Sequence, residues 1–196
     1  MHSTSSSSSV PLARRLRRSR RRVQFAALVA LGLLIFADIS GWLLVPHFDD
    51  MATYQGRLVR VIKVIDGDTI DVDLPDVLND KPFTRIRLWG LDCPEQGGLD
   101  RKPQPYAQEA ESFVRTMIEG STVTLQLEPH RLRGTFGRVL AHVEIPEMGS
   151  LNLALLEAGL ARADERWSHV HLSRYAKAQR KAQGEKIGIW TPDESD

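Results

Sequence analysis

Residues 56–74, "GRLVRVIKVIDGDTIDVDL", alternate apolar and polar side chains on either side of an Asp66-Gly67 pair. Alternation with period two gives an extended chain one apolar face, and Asp-Gly between apolar runs is the composition of a tight reversal. These residues therefore predict a β-hairpin. After a loop with turn chemistry, "DVLNDKP", the run "FTRIRLWGL" reads as a third strand that ends before Pro94.

The rest of the folded part continues in the same style. "QGGLDRKPQP", residues 96–105, is an exposed Gly/Pro/charged loop. "YAQEAESFVRTMIEG" then sets Ala107, Ala110, Phe113, Val114, Met117 and Ile118 at helical spacing, with Gly120 at the C-terminal end. "STVTLQLE" and "GRVLAHVEI" read as two more strands joined by the basic loop "PHRLRGTF". "SLNLALLEAGLA" is an amphipathic helix capped by Ser150, and "SHVHLSRYAKAQRKAQGEK" a last helix capped by Ser168. Three strands, a helix, two strands and two helices predict an α+β, mainly β domain: a five-stranded barrel in the manner of an OB-fold, with three helices packed on it.

Ahead of this domain the composition changes. Residues 1–22 are Ser-rich and then Arg-rich and predict a disordered basic arm. Residues 23–45, "VQFAALVALGLLIFADISGWLLV", are apolar enough to span a hydrocarbon core of about 30 Å as a helix, with Trp42 near one interface. Asp38 is unfavourable there, and the alternative is a cleaved signal peptide whose apolar region stops near Ala37, leaving a secreted domain. A single-pass anchor at the cell membrane is the first expectation. The positive-inside rule puts the arm in the cytoplasm and everything after Pro46 outside. Residues 46–55 are then a linker, 56–190 the folded domain and 191–196 a tail.

The whole chain has 26 Lys and Arg against 25 Asp and Glu, but residues 49–196 hold 19 of the bases and 24 of the acids, a net of −5. A bulk basic surface is thereby excluded as the means of attracting a polyanion. Local arginines or a bound cation must do that work. The one cysteine, Cys93, excludes an intramolecular disulfide and a Cys-based zinc site. His130, His142, His169 and His171 lack metal-ligand spacing and read as surface or helix-face residues. The tryptophans read as core or interface anchors.

Carboxylates at strand ends call for an explanation, because aspartate is depleted in strands and isolated charges are costly in a core. Asp68 lies just beyond the hairpin turn, and Asp92 and Glu95 just past strand three, so neighbouring strands would gather them. A hard cation such as Ca²⁺ or Mg²⁺ takes oxygen ligands and would offset their repulsion. Arg87 and Arg138 would then form a guanidinium clamp for phosphate oxygens, leaving Glu95 to activate water. Each element also has a plainer reading. "DGDT" is good turn chemistry, Pro94 a strand stop, Arg87 a snorkelling side chain and Arg138 a solvated strand residue.

"VIDGDTI", "RIRLWGLDCPE", "FGR" and the closing "KIGIW" occur in an order and spacing that resemble the staphylococcal nuclease-like (thermonuclease) family, over about residues 56–190. The resemblance implies a five-stranded OB barrel with three helices and Ca²⁺-dependent hydrolysis of phosphodiester bonds in DNA and RNA. It implies that Asp68, Asp92 and the Cys93 backbone carbonyl bind Ca²⁺, with Asp66 and Thr69 in support. Glu95 would be the general base, and Arg87 and Arg138 would hold the phosphate and stabilise the transition state. Gly134 and Phe136 stand where the family often has Asp and Tyr before its last catalytic arginine. Glu165, with Trp167 nearby, stands where a nucleotide-contacting tyrosine is found, and Cys93 replaces a common threonine. Nucleic acid is the implied substrate, the membrane is reached through the N-terminal helix, and a monomer without an obligate protein partner is expected. The reading from another class is a non-catalytic nucleic-acid or protein-binding module on the same barrel.

Overall fold

The computed structural model describes residues 24–33, 35–36, 49–98 and 100–192. The chain divides into two compact units, Met1–His47 and Phe48–Asp196. In the first, residues 24–33 and 35–36 are helical. Among the described residues no helix is long and apolar enough to cross a membrane. The predicted arm, positions 37–45 of the predicted span and residues 193–196 of the tail lie outside the described residues.

The second unit is built on the hairpin. Strand β1 (Leu58–Val64) pairs antiparallel with β2 (Thr69–Val72), and β2 with β3 (Thr84–Leu88). β4 (Leu91–Asp92) follows, then β5 (Thr122–Gln126), which pairs with β1, and β6 (Val139–Ile145), which pairs with β5. A parallel pairing of β3 with β6, Ile86 opposite Val139, closes the five long strands into a barrel. That is the OB-type architecture the strand order predicts, in a mainly β, α+β unit. Three two-residue strands add to it: β4 pairs with β8 (Arg162–Ala163), and β7 (Gly149–Ser150) with β6.

Among the described residues four α-helices pack on this unit, one more than predicted. Helix α1 (Asp50–Tyr54) lies in the segment read as a linker and buries Tyr54. Helix α2 (Ala107–Ile118) buries Ala107, Ala110, Val114 and Ile118 at helical spacing, and Ala110 seats against the β1–β2 turn. There the hairpin glycine has a second job. A Cβ on Gly67 would lie 2.8 Å from Ala110 Cβ and 2.9 Å from Cys93 Cβ, so glycine permits close approach of turn, helix and strand end. Helix α3 (Leu151–Glu157) is capped by Ser150, whose Oγ accepts from the Leu153 amide at 3.5 Å. Helix α4 (Leu172–Glu185) corrects the expectation of a Ser168 cap: His171 is its N-cap residue and makes no side-chain cap bond.

β6 is buried along nearly its whole length on both faces, because one face lines the barrel and helices cover the other. Asn152 ties these layers together: its Oδ1 accepts from the Val143 amide at 2.9 Å, and its Nδ2 donates to the Trp89 carbonyl at 2.9 Å.

Candidate active site

Strand pairing brings the first site residues together. Thr69, the first residue of β2, is opposite Arg87 of β3, so Asp68 beside it sits next to the guanidinium. Asp92 is delivered by the β4–β8 ribbon, where it pairs with Arg162. Arg87 reaches both carboxylates. Its Nη2 donates to Asp92 Oδ1 at 2.5 Å, and its Nη1 forms an ion pair with Asp68 Oδ2 that is out of line for a hydrogen bond. Asp68 and Asp92 thus converge on one positive group.

The two carboxylates have different surroundings. The Asp92 side chain is 56% exposed, that of Asp68 only 9%. Asp68 Oδ2 also accepts from the Cys93 amide at 2.9 Å, and Oδ1 from Thr69 Oγ1 at 3.1 Å. Asp66 caps the turn by accepting from the Asp68 amide at 3.0 Å. Burial pushes Asp68 up to about 7; the Arg87 charge opposes that rise and Asp66 adds to it. A carboxylate so placed has less positive charge around it than its ionised form needs. Burial, then the Asp68 charge, drives the Cys93 thiol well above its usual range, so its sulfur stays protonated and its contact with the turn is packing.

Arg138 precedes β6 and is half-buried. Its Nη1 lies 3.4 Å from Thr69 Oγ1, while its Nε is buried without a partner. A groove of about 260 Å³ runs past both arginines, lined also by Trp89, Arg131, Arg166 and Trp167. Four guanidinium groups therefore face it, with Asp164 as the acid among the lining residues. The acidic domain carries a locally basic channel. Glu95 stands apart from this set. It is exposed, its backbone pairs with Gln104, and among the described residues its carboxylate makes no hydrogen bond or ion pair.

The loop "PHRLRGTF" holds residues that sequence reasoning missed. It runs extended beside β6, with Leu132 O accepting from the Leu140 amide at 2.9 Å, so alternate side chains point to opposite sides. Arg131 stacks on Trp167 at 3.8 Å and reaches Trp89 at 5.7 Å. Arg133 turns the other way, to Asp50 and Asp76, and its Nη1 donates to the Gly137 carbonyl at 2.7 Å, bracing the chain just before Arg138. The spacing Arg-x-Arg in an extended loop was the available signal. Trp89 is buried as expected, but Trp167 is 44% exposed on the groove. Phe136 is 89% exposed and left-handed at φ 64°, beside Arg138. The histidine reading also needs correction: His142 and His169 are buried.

Comparison with known proteins decides the family. A family model described as "Staphylococcal nuclease homologue" matches residues 85–192, more than half of the chain. The chain belongs to the staphylococcal nuclease family. It is 36% identical to a thermonuclease of Staphylococcus hyicus over 134 residues, covering 67% of this chain and 75% of the relative. It is 31% identical to a thermonuclease of Staphylococcus intermedius over 166 residues, 83% and 92% of the two chains. An uncharacterized endonuclease of Escherichia coli is 30% identical over 132 residues, 67% and 76%. As a member of the staphylococcal nuclease family, the chain is a nuclease, a hydrolase of phosphodiester bonds. The matched span of the family model begins at Arg85, so it includes Arg87, Asp92, Glu95 and Arg138 but not the Asp66–Thr69 turn.

Proposed function

We propose that this nuclease hydrolyses DNA and RNA with little sequence preference, depends on Ca²⁺, and works outside the cytoplasmic membrane. The observation that carries the metal reading is the convergence of Asp68 and Asp92 on Arg87, with Asp68 buried and its acidity suppressed to about 7. Two carboxylates and a neighbouring backbone carbonyl form a hard oxygen donor set, which suits Ca²⁺ rather than a softer metal. Asp68, Asp92 and the Cys93 carbonyl would hold the ion, with Thr69 and Asp66 fixing Asp68 through the bonds described. Bound there, Ca²⁺ supplies Lewis-acid polarisation of a phosphate oxygen.

The protein's own groups do the rest. Arg87 and Arg138 both line the groove and present planar donors to the equatorial oxygens of a diester, where charge builds in the transition state. The Glu95 carboxylate, without a hydrogen-bond or ion-pair partner among the described residues, takes a proton from the attacking water. Phe136 and Trp167 offer exposed rings on which bases stack whatever their sequence, which accords with weak preference. The location rests on the apolar segment 23–45 behind a basic arm.

The deciding experiment assays the purified full-length chain on single-stranded DNA and RNA with Ca²⁺, Mg²⁺ or chelator. Cleavage in Ca²⁺ that stops on chelation is expected; undiminished cleavage in chelator overturns the metal assignment. Glu95→Gln should slow turnover by roughly 10²–10⁴-fold while DNA binding persists. A wild-type rate would remove Glu95 from the base role.

A further inference from the structure

A second polar cluster packs against Trp89, a residue that also lines the basic groove. Glu128, just after β5, His142 on β6 and His169 in the loop before α4 bring their ligand atoms within 4.8 Å of one another. Among the described residues this is the one group of three or more His, Cys, Asp or Glu side chains that does so. His142 is 1% exposed, His169 7%, and the Glu128 side chain 12%.

The hydrogen bonds around the cluster are incomplete in a particular way. His142 Nδ1 is paired with the Tyr175 hydroxyl at 2.9 Å, which turns Nε2 toward Glu128 Oε1, 3.5 Å away. Neither His142 Nε2 nor either nitrogen of His169 has a hydrogen-bond partner, although all three are buried. Buried polar atoms are almost always satisfied, and three orphaned imidazole nitrogens on two rings, each ring with a nitrogen within 4.8 Å of a Glu128 oxygen, form a concentrated exception. Glu128 itself is fixed, since its Oε1 accepts from the Val170 amide at 2.8 Å.

This is the chemistry of a transition-metal site. Imidazole nitrogens with a carboxylate suit zinc and its neighbours, and a ligating histidine characteristically has its other ring nitrogen held by an oxygen, as Tyr175 holds His142.

The geometry points to a divalent transition-metal site of the zinc class on Glu128, His142 and His169, separate from the Asp68–Asp92 centre. Its position gives it a role. His169 packs edge-on to Trp89 with ring centroids 6.5 Å apart, and Gly90 lies so close that a Cβ there would meet His169 Nε2. Trp89 and Gly90 line the groove, and so do Arg166 and Trp167 of the loop that carries His169. A metal would fasten that loop to β5 and β6 and hold one wall of the groove in place.

The test uses the full-length chain, stripped of metal and dialysed into excess Ca²⁺ so that hard oxygen sites are filled. Zn²⁺ is titrated and bound metal counted by mass spectrometry, with Co²⁺ as an optical probe. One Zn²⁺ per chain is expected, with Glu128→Gln and His169→Asn each weakening it by more than about tenfold. Co²⁺ should give the visible bands of a nitrogen- and oxygen-ligated site in the wild type and lose them in His169→Asn. Equal zinc affinity in the wild type and both variants, or wild-type binding no tighter than that of a chain carrying both substitutions, overturns the proposal. Should His169→Asn fail to fold by circular dichroism, Glu128→Gln decides, because its amide oxygen can still accept from Val170.

Discussion

Arg87 and Arg133 each stand between two aspartates of the same barrel, yet the two bridges are built differently. Arg133 meets Asp50 through Nε and Nη2, both at 2.7 Å, and Asp76 through Nη1 and Nη2 at 2.9 and 3.1 Å. Its fork is filled. Desolvation raises the Asp76 carboxyl, but bonds from Arg133 and Asn79 outweigh it and hold Asp76 below the usual range. Arg87 gives each partner one nitrogen, one of them out of line, and Asp68 is pushed up to about 7. A saturated bridge braces structure; an unsaturated one leaves a carboxylate with capacity for a further cation and a guanidinium that can turn to a phosphate.

Exchanging the arginines for simpler groups sharpens that contrast. Arg87→Lys should lower turnover by roughly 10²–10³-fold, because a point charge cannot present the planar fork to two partners or to a diester. Steady-state cleavage of single-stranded DNA measures this, and a near-wild-type rate would make Arg87 a brace like Arg133. Arg133→Met should instead lower stability by about 3 kcal/mol, since it strands two buried carboxylates. Urea unfolding reads that loss. The rate per folded molecule should fall far less than for Arg87→Lys, through slackening of the Gly137 carbonyl beside Arg138.

The two bridges also differ in how readable they are. Asp68 and Arg87 come from adjoining strands of one meander and Asp92 from the short strand that follows it: Arg87 and Asp92 are 5 residues apart, and the Cys93 amide that binds Asp68 is 25 away. Turn chemistry and strand alternation therefore place Asp68 beside Arg87 without reference to the rest of the chain, and Asp92 follows closely after Arg87 although its strand is completed by β8. Asp50 and Arg133 are 83 apart and Arg133 and Asp76 are 57 apart, joined only once the β3–β6 pairing closes the barrel. Pairing across a closed barrel leaves no local pattern. The five long strands and three of the four helices were legible because each carries its own period. The Ser168 cap was not, because a serine four residues ahead of the true helix start looks the same in sequence as one that caps it. His142 shows the same limit. It occupies an alternating strand, but β6 is buried on both faces, and alternation cannot report which polar position the helices will cover.

The smallest expected effect is a difference of slope. An aspartate in an unfolded chain titrates near about 3.9. In chelator, the folded protein keeps the Asp68 proton up to about 7. Between those values the folded chain holds a proton that the unfolded one has released, so Asp68's contribution is fully present below about 4 and is lost as pH rises to about 7. Asp76 behaves in the opposite sense. Its folded pKa is depressed, so its contribution is present above about 4 and is lost as pH falls through the folded value. His142, neutral in the fold down to about 4, slopes against Asp68 in the same window, so the difference between wild type and Asp68→Asn carries the test. Urea midpoints in chelator should fall more steeply from pH 4 to 7 in the wild type than in Asp68→Asn, whereas Asp76→Asn should change the profile below about 4. Parallel profiles for wild type and Asp68→Asn would mean that Arg87 already satisfies Asp68 and that the two bridges are equivalent. Adding Ca²⁺ to the wild type should flatten the decline, because a cation bound to the ionised carboxylate removes the penalty that burial imposes on it.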